Sequence, residues 1–227
     1  MNLNKQLCKH AFIATLPVLS GYVVLGTGFG ILLQSKGFGL GWAVAMSVFI
    51  YAGSMQYLAV DLLSGGAGLI AAGLTTLMVN ARHIFYGISM IGRYKDTGWR
   101  KPYLIFGLTD ETYSLNCAVE KSADYYFLVT LFNQIYWVAG SALGALLGTV
   151  LPFSTEGIDF SLTALFITVF VEQWRSTKDH IPALIGVGAS VGCLAVFGAG
   201  NFLIPAMVVI TAALALYGRN RGGAANA

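Results

Sequence analysis

The sequence has few charged residues: Asp, Glu, Lys and Arg together make up only 10% of its 227 residues. An ordinary soluble domain carries roughly 25%, so the polar surface available here is too small to cover a water-soluble globule. Hydrophobic residues account for 56% of the chain, and the mean hydropathy is +0.71. The composition therefore predicts an integral membrane protein.

The sequence also has few of the residues that build disulfides, metal sites and nucleotide sites. Its three cysteines are widely spaced, and its three histidines show no metal-ligand spacing. It has no phosphate-binding Gly-Lys-Ser/Thr loop. No cofactor and no metal are expected. The net charge of +3 indicates basic loops beside an anionic leaflet of the lipid bilayer rather than a nucleic-acid partner.

Long apolar runs are what the sequence does contain. They are continuous and rich in Leu, Ala, Gly and Val, unlike the alternating segments of about 10 residues in a membrane β-barrel. We therefore expect an all-α, polytopic helical bundle with about seven to eight hydrophobic segments, forming a single membrane domain over residues 1–227. The segments are 12–33, 41–60, 67–92, 103–118, 125–150, 162–174, 183–198 and 202–217.

Two of these segments are interrupted by polar residues, the third by "NARH" and the fourth by "DE". Short or interrupted hydrophobic segments indicate discontinuous helices whose halves meet near the middle of the membrane. Loops rich in Lys and Arg prefer the cytoplasm. If segments 67–92 and 103–118 both enter and return on one side, all basic loops fall on that side; simple crossings by all eight segments remain the alternative.

The "NARH" cluster contains the first candidate site residues. An ionised group at bilayer depth costs from about 3 to more than 10 kcal/mol, so it usually faces a cavity or a partner. Arg82 presents a planar fork suited to a carboxylate, and His83 can change charge near neutral pH. The alternatives for Arg82 are an internal structural bridge to Asp110 or Glu111, or snorkelling to the interface.

Asp110 and Glu111 form the second cluster. Adjacent residues on a helix point about 100° apart, so they can share one cavity only where the helix is broken. One carboxylate could then bind a cation or proton while the other pairs with Arg82. The alternative is a helix cap at the membrane interface.

Two further clusters are less distinctive. In "YAGSMQY", Tyr51, Ser54 and Gln56 flank a glycine, where unwound backbone would suit the polar end of a ligand; plain interhelical hydrogen bonding is the alternative. In "VEQWR", Glu172 lies beside Trp and Arg residues that commonly anchor segment ends at the interface.

Two glycine-containing patterns have structural explanations. "GASVG" matches a nucleophile elbow by letter, but Ser190 lies within an apolar helical run rather than on a strand-to-helix turn. No catalytic residue is expected, and the chain is not expected to be an enzyme. Gly140, Gly144 and Gly148 form a small-residue stripe that allows close helix packing, either within the bundle or between subunits.

Four motifs, "LPVLSGYVVLGTGFG", "YAGSMQ", "NARHIFYG" and "LTDETYSL", together resemble the AzlC/YgaZ family, the large subunit of bacterial branched-chain amino acid exporters. The resemblance implies a multi-pass protein of the bacterial cytoplasmic (inner) membrane that exports valine-type amino acids, with methionine as a further candidate. It also implies use of the proton gradient and a small AzlD/YgaH-like membrane subunit as partner.

Both lines of reasoning lead to one expected site. A zwitterionic aliphatic amino acid needs a cation for its carboxylate, an acid or carbonyl groups for its ammonium, and an apolar pocket for its side chain. The alternative is a passive channel for small solutes, in which the same groups line a pore. The expected substrate-binding residues are Tyr51, Ser54, Gln56, Asn80, Arg82 and Asp110, and the expected proton-coupling residues are Asp110, Glu111 and His83.

Overall fold

The computed structural model describes residues 5–80, 82–118, 122–150, 160, 163–164, 167, 170–171, 174–175, 177, 179–198 and 202–224. Every regular element within these residues is helical, which confirms the all-α prediction for this part of the chain. The contacts divide the chain into two compact units, Met1–Thr163 and Ala164–Ala227, and each is described by itself. The single domain over residues 1–227 stays a prediction.

The first unit contains eight described α-helices, and a short 3-10 turn, Gly98–Arg100, precedes the sixth. The second unit contains two longer described helices. In chain order the helices are α1 (Lys5–Ser35), α2 (Leu40–Phe49), α3 (Gly53–Ser64), α4 (Leu69–Val79), α5 (Arg82–Met90), α6 (Lys101–Phe106), α7 (Asp110–Ala118), α8 (Ala123–Val150), α9 (Ile181–Phe197) and α10 (Leu203–Ala224).

Two of the described helices, α1 and α8, are long and apolar enough to cross a membrane. They contain 31 and 28 residues, and at about 1.5 Å per residue each exceeds the roughly 30 Å of a hydrocarbon core. They correspond to the first and fifth apolar segments of the sequence. The larger number of crossings, seven to eight, stays a prediction.

Helices α1 and α8 approach each other through glycine. A Cβ atom at Gly30 would lie 2.2 Å from the carbonyl oxygen of Ser141, and one at Gly144 would lie 2.1 Å from that of Thr27. Only glycine allows the two backbones to come so close. The small-residue stripe on α8 therefore packs within the bundle, which confirms the first of its two interpretations.

Three apolar segments are broken, each into two short helices. The second breaks at residues 50–52, between α2 and α3; the third at residue 80, between α4 and α5; and the fourth at residues 107–109, between α6 and α7. The halves contain 6 to 12 residues, too few to cross a bilayer alone. The breaks in the third and fourth segments confirm that these are discontinuous, and the break in the second is an addition. The meeting of the halves near the middle of the membrane and their re-entrant course stay predictions.

Two buried clusters support the broken helices. One surrounds Phe29 and Trp137, where α1, α3 and α8 meet. The other surrounds Tyr94 and Leu104, beside α5, α6 and α8. Phe132 of α8 packs against both clusters, and α1 contributes Phe29 to the first and Ala11 to the second, so the two long helices hold the short helices together.

In the second unit, α9 and α10 pack against each other. Ser190 lies inside α9, so it does not occupy the turn that a nucleophile elbow requires. A groove of about 590 Å³ runs along α9 and is lined mainly by apolar residues, with Trp174 and His180 at one end. Glu172 lies outside the described residues.

Candidate functional site

Three of the short helices begin at a common point, and their first residues carry the polar side chains. Arg82 is the first residue of α5 and Asp110 the first of α7, while Ser54 is the second residue of α3. Arg82 Nη1 lies 2.9 Å from Asp110 Oδ2, and Arg82 Nη2 donates a hydrogen bond of 2.9 Å to Ser54 Oγ. Three broken segments therefore meet at one ion pair.

The position of each charge on its helix explains why the two pair. A carboxylate is stabilised at a helix N-terminus, where Asp110 lies, whereas a cation there is opposed by the helix dipole. Arg82 therefore depends on its counter-charge. The pair is largely withdrawn from solvent, with side-chain exposures of 31% for Arg82 and 23% for Asp110, and Ser54 is only 3% exposed. Of the alternatives for Arg82, the pairing with Asp110 is confirmed.

Two buried side-chain oxygen atoms, one on Asp110 and one on Asn80 two residues before Arg82, have no hydrogen-bond donor among the described residues. Asp110 Oδ1 and Asn80 Oδ1 accept no hydrogen bond from any residue that the structure describes. A buried acceptor left without a donor costs about 1–3 kcal/mol. Both atoms are acceptors, and one belongs to a carboxylate, so their chemistry suits a ligand that brings several N–H donors and a positive charge.

Glu111 points away from this ion pair into a second polar cluster. Its Oε2 atom accepts a hydrogen bond of 2.6 Å from the Tyr22 hydroxyl of α1. The same hydroxyl is 2.8 Å from Thr109 Oγ1, which donates to Thr112 Oγ1 at 3.0 Å. Asn133 of α8 donates to that same threonine oxygen. The two adjacent carboxylates thus serve two different clusters.

Tyr51 occupies the break between α2 and α3 in a strained conformation. Among the described residues it is the one non-glycine residue with a positive φ, 44°. Such a conformation in a bulky residue costs about 1–3 kcal/mol and often occurs at functional sites. Its side chain is 3% exposed, and its hydroxyl has no hydrogen-bond partner in the part of the chain described.

Gln56 belongs to a network that joins helices. Its Nε2 donates to Ser47 of α2 at 3.2 Å, and its Oε1 accepts from Trp137 Nε1 of α8 at 2.8 Å. Ser47 continues the network to Ser141. These contacts favour the interhelical alternative, and the role of Gln56 in substrate binding stays a prediction.

Around His83, the structure brings together aromatic residues that the sequence did not single out. His83 Nδ1 lies 3.1 Å from the backbone oxygen of Asn80, so its ring spans the break between α4 and α5. That ring meets Tyr86 edge-on at 5.7 Å. Tyr86 in turn stacks on Tyr113 of α7, with ring centroids 4.4 Å apart and planes 14° apart.

No group of three or more His, Cys, Asp and Glu side chains that could hold a metal ion occurs among the residues described. By charge, Arg82 can match an anion, and the unpartnered oxygens of Asp110 and Asn80 can match a cation. Arg82 and Asp110 are the first residues of half-helices, and Asn80 lies in the break before α5.

Comparison with known proteins identifies relatives of this chain. A family model described as "AzlC protein" matches residues 17–151, which include every predicted site residue. The "Branched-chain amino acid transport protein AzlC" of Bacillus subtilis is 46% identical over 211 residues, covering 91% of this chain and 83% of that protein.

More distant relatives show the same long coverage. An uncharacterized membrane protein of Helicobacter pylori is 42% identical over 214 residues, covering 92% of this chain and 94% of its own length. The inner membrane protein YgaZ of Escherichia coli is 28% identical over 214 residues, with coverages of 89% and 83%. No solved structure matches the chain significantly. The resemblance inferred from the motifs is confirmed.

Proposed function

The chain belongs to the AzlC family, and from that premise we propose that it is a secondary transporter that exports branched-chain amino acids of the valine type, with methionine as a further candidate. It acts as a multi-pass protein of the bacterial cytoplasmic membrane, draws on the proton gradient, and works with a small AzlD/YgaH-like subunit. The observation that carries the proposal is the Arg82–Asp110 ion pair at the meeting point of three broken segments.

A zwitterion can open this ion pair without leaving any charge unpaired. The substrate carboxylate replaces Asp110 on Arg82, and the substrate ammonium takes the Asp110 carboxylate together with the free oxygen of Asn80. A ligand with a single charge leaves either Arg82 or Asp110 without a counter-charge. Removing one partner of a fully buried pair costs about 3–5 kcal/mol, and this largely withdrawn pair loses part of that, so the pair selects zwitterions over simple cations and anions.

Glu111 supplies the link to the proton gradient in this proposal. It follows Asp110 in the first turn of α7, so any movement of that turn that separates Asp110 from Arg82 also changes the hydrogen bond between Glu111 and Tyr22. Substrate binding and proton exchange at Glu111 are therefore mechanically connected. His83, beside the break at Asn80, is the second candidate for the proton carrier.

The test compares two ion pairs in cells that express the chain with its small subunit and are loaded with valine from a dipeptide. Arg82→Ala and Asp110→Asn should each lower export at least 10-fold at unchanged abundance in the membrane. The matched control is the Arg100–Asp124 pair, whose side chains are similarly withdrawn at 15% and 24% exposure; Arg100→Ala should retain export. Export by both site variants at the wild-type rate would contradict the proposal.

Two features of the same assay separate a transporter from a passive channel. Coupled export saturates with internal valine concentration and falls when an uncoupler collapses the proton gradient. Efflux through a pore does neither. Omitting the small subunit tests the proposed partnership, because export should then fall to the level of cells without the chain.

A further inference from the structure

We infer that Tyr86 and Tyr113 form the surface against which the side chain of the substrate packs, and that they set the size of side chain that the site accepts. The inference rests on the proposed function and adds a specificity determinant to it. Neither tyrosine stands out in the sequence, because each is one aromatic residue among many in apolar segments.

The placement of the two tyrosines follows from helix geometry. Tyr86 lies four residues after Arg82 on α5, and Tyr113 lies three residues after Asp110 on α7. Residues three and four apart share a helix face, and each Cα–Cβ bond tilts toward the helix N-terminus. Both rings therefore lean toward the turns that carry the ion pair, and the Tyr86 side chain lies close enough to interact with Asp110.

The two rings form one continuous apolar surface. They stack with centroids 4.4 Å apart and are held from behind by the buried cluster that contains Met90, Tyr94 and Leu108. A hydrogen bond of 3.0 Å between Ser89 Oγ and the Tyr113 hydroxyl restrains the tip of that ring. The surface is thus preorganised and does not depend on a ligand to form.

An amino acid bound in the proposed way has one direction left for its side chain. Its carboxylate and ammonium engage Arg82 and Asp110, so its Cα lies between the starts of α5 and α7. The polar neighbour of Arg82 is Ser54, in the first turn of α3. Helices α5 and α7 also provide the aromatic surface of Tyr86 and Tyr113 next to the ion pair. An aliphatic side chain of the substrate packs against that surface.

The test measures export ratios rather than total export. Cells are loaded separately with valine, leucine and phenylalanine from dipeptides, and the phenylalanine-to-valine ratio is compared between variants. One methylene in an apolar pocket changes discrimination by roughly 10-fold or more. Tyr113→Ala, which removes a whole ring, should therefore raise this ratio about 10-fold or more, whereas Tyr113→Phe should keep the wild-type ratio.

A second aromatic pair provides the matched control. Phe38 and Trp42 also contact each other, with centroids 5.9 Å apart, at the turn between α1 and α2. Trp42→Ala should leave the ratio unchanged. If the Tyr113→Ala variant exports nothing, the ratio is measured with Tyr113→Leu instead. Loss of export in Tyr113→Phe as well would overturn the inference.

The remaining outcomes separate the inference from the function on which it rests. Wild-type protein that exports none of the three amino acids would refute the proposed function. Wild-type export combined with an unchanged ratio in Tyr113→Ala or Tyr113→Leu would overturn the inference alone, and would leave the roles of Arg82 and Asp110 standing.

Discussion

Replacing Gly30 with alanine tests the close approach of α1 and α8 on which the whole first unit depends. The added Cβ would lie 2.2 Å from the carbonyl oxygen of Ser141 and 2.5 Å from the backbone nitrogen of Ala145. Ordinary van der Waals contact begins at 3.4 Å. Both obstructing atoms belong to the backbone, so no side-chain rotation can relieve the overlap and the two helices must separate by about 1 Å.

The expected loss of stability can be worked out from opposing effects. Overpacking of a well-packed contact costs about 1–3 kcal/mol, and the backbone origin of the overlap places Gly30→Ala at the upper end. Alanine in a helix interior recovers about 0.5–1 kcal/mol relative to glycine. The net loss is about 2 kcal/mol, which for a chain of this size corresponds to a fall in Tm of about 4–8 °C.

The assay is thermal unfolding in detergent, followed through the fluorescence of the tryptophans, among them Trp137 in the buried cluster at this interface. Gly21→Ala is the matched control, because Gly21 lies on the same helix and a Cβ there meets nothing within 4 Å. The control should be as stable as wild type or slightly more stable. Equal stability of Gly30→Ala and Gly21→Ala would refute the glycine-mediated packing.

Three further predictions concern the polar clusters. Glu111→Gln should leave valine export possible but insensitive to an uncoupler, and Tyr22→Phe should weaken the same coupling, as measured by the pH dependence of export. Tyr51→Phe should raise thermal stability by about 1–3 kcal/mol, because it removes a buried hydroxyl that lacks a partner. Gln56→Leu should lower stability by about 1–3 kcal/mol, because it leaves the indole N–H of Trp137 without an acceptor, while the export ratio stays unchanged.

Each of these predictions has an outcome that contradicts it. Uncoupler-sensitive export by Glu111→Gln would remove that residue from proton coupling. A fall in stability for Tyr51→Phe would show that its hydroxyl is satisfied in the folded protein. A shift in the amino acid preference of Gln56→Leu, at wild-type stability, would return Gln56 to the substrate site.

The sequence was sufficient to predict the breaks in the third and fourth segments and to include the Arg82–Asp110 pair among the alternatives. Polar residues inside an apolar segment contrast sharply with their surroundings, and the cost of burying charge implies a partner of opposite sign. That reasoning identified Arg82 and Asp110 and included their pairing among the alternatives. The divergence of Asp110 and Glu111 also follows from helix geometry once α7 begins at Asp110.

The tyrosines of the site could not be predicted in the same way. Tyr22 contacts Glu111 across 89 positions of the chain, and no local pattern in a single sequence reveals so distant a contact. Tyr86 and Tyr113 are aromatic residues in apolar helices, so hydropathy does not distinguish them from packing residues. Gln56 shows the opposite difficulty: its polarity was visible, but its partners, Ser47 and Trp137, were not.

The central claim is that the substrate breaks the Arg82–Asp110 ion pair: its carboxylate binds Arg82, and its ammonium binds Asp110. It is tested most directly by competition against the export of radiolabelled L-valine with analogues that lack one charge, namely L-valinamide without the carboxylate and isovalerate without the ammonium. Each analogue leaves one largely withdrawn charge unpaired, at part of the about 3–5 kcal/mol of a fully buried pair, and should therefore compete at least about 10-fold more weakly than L-valine. Competition by either analogue within 10-fold of L-valine would contradict the account.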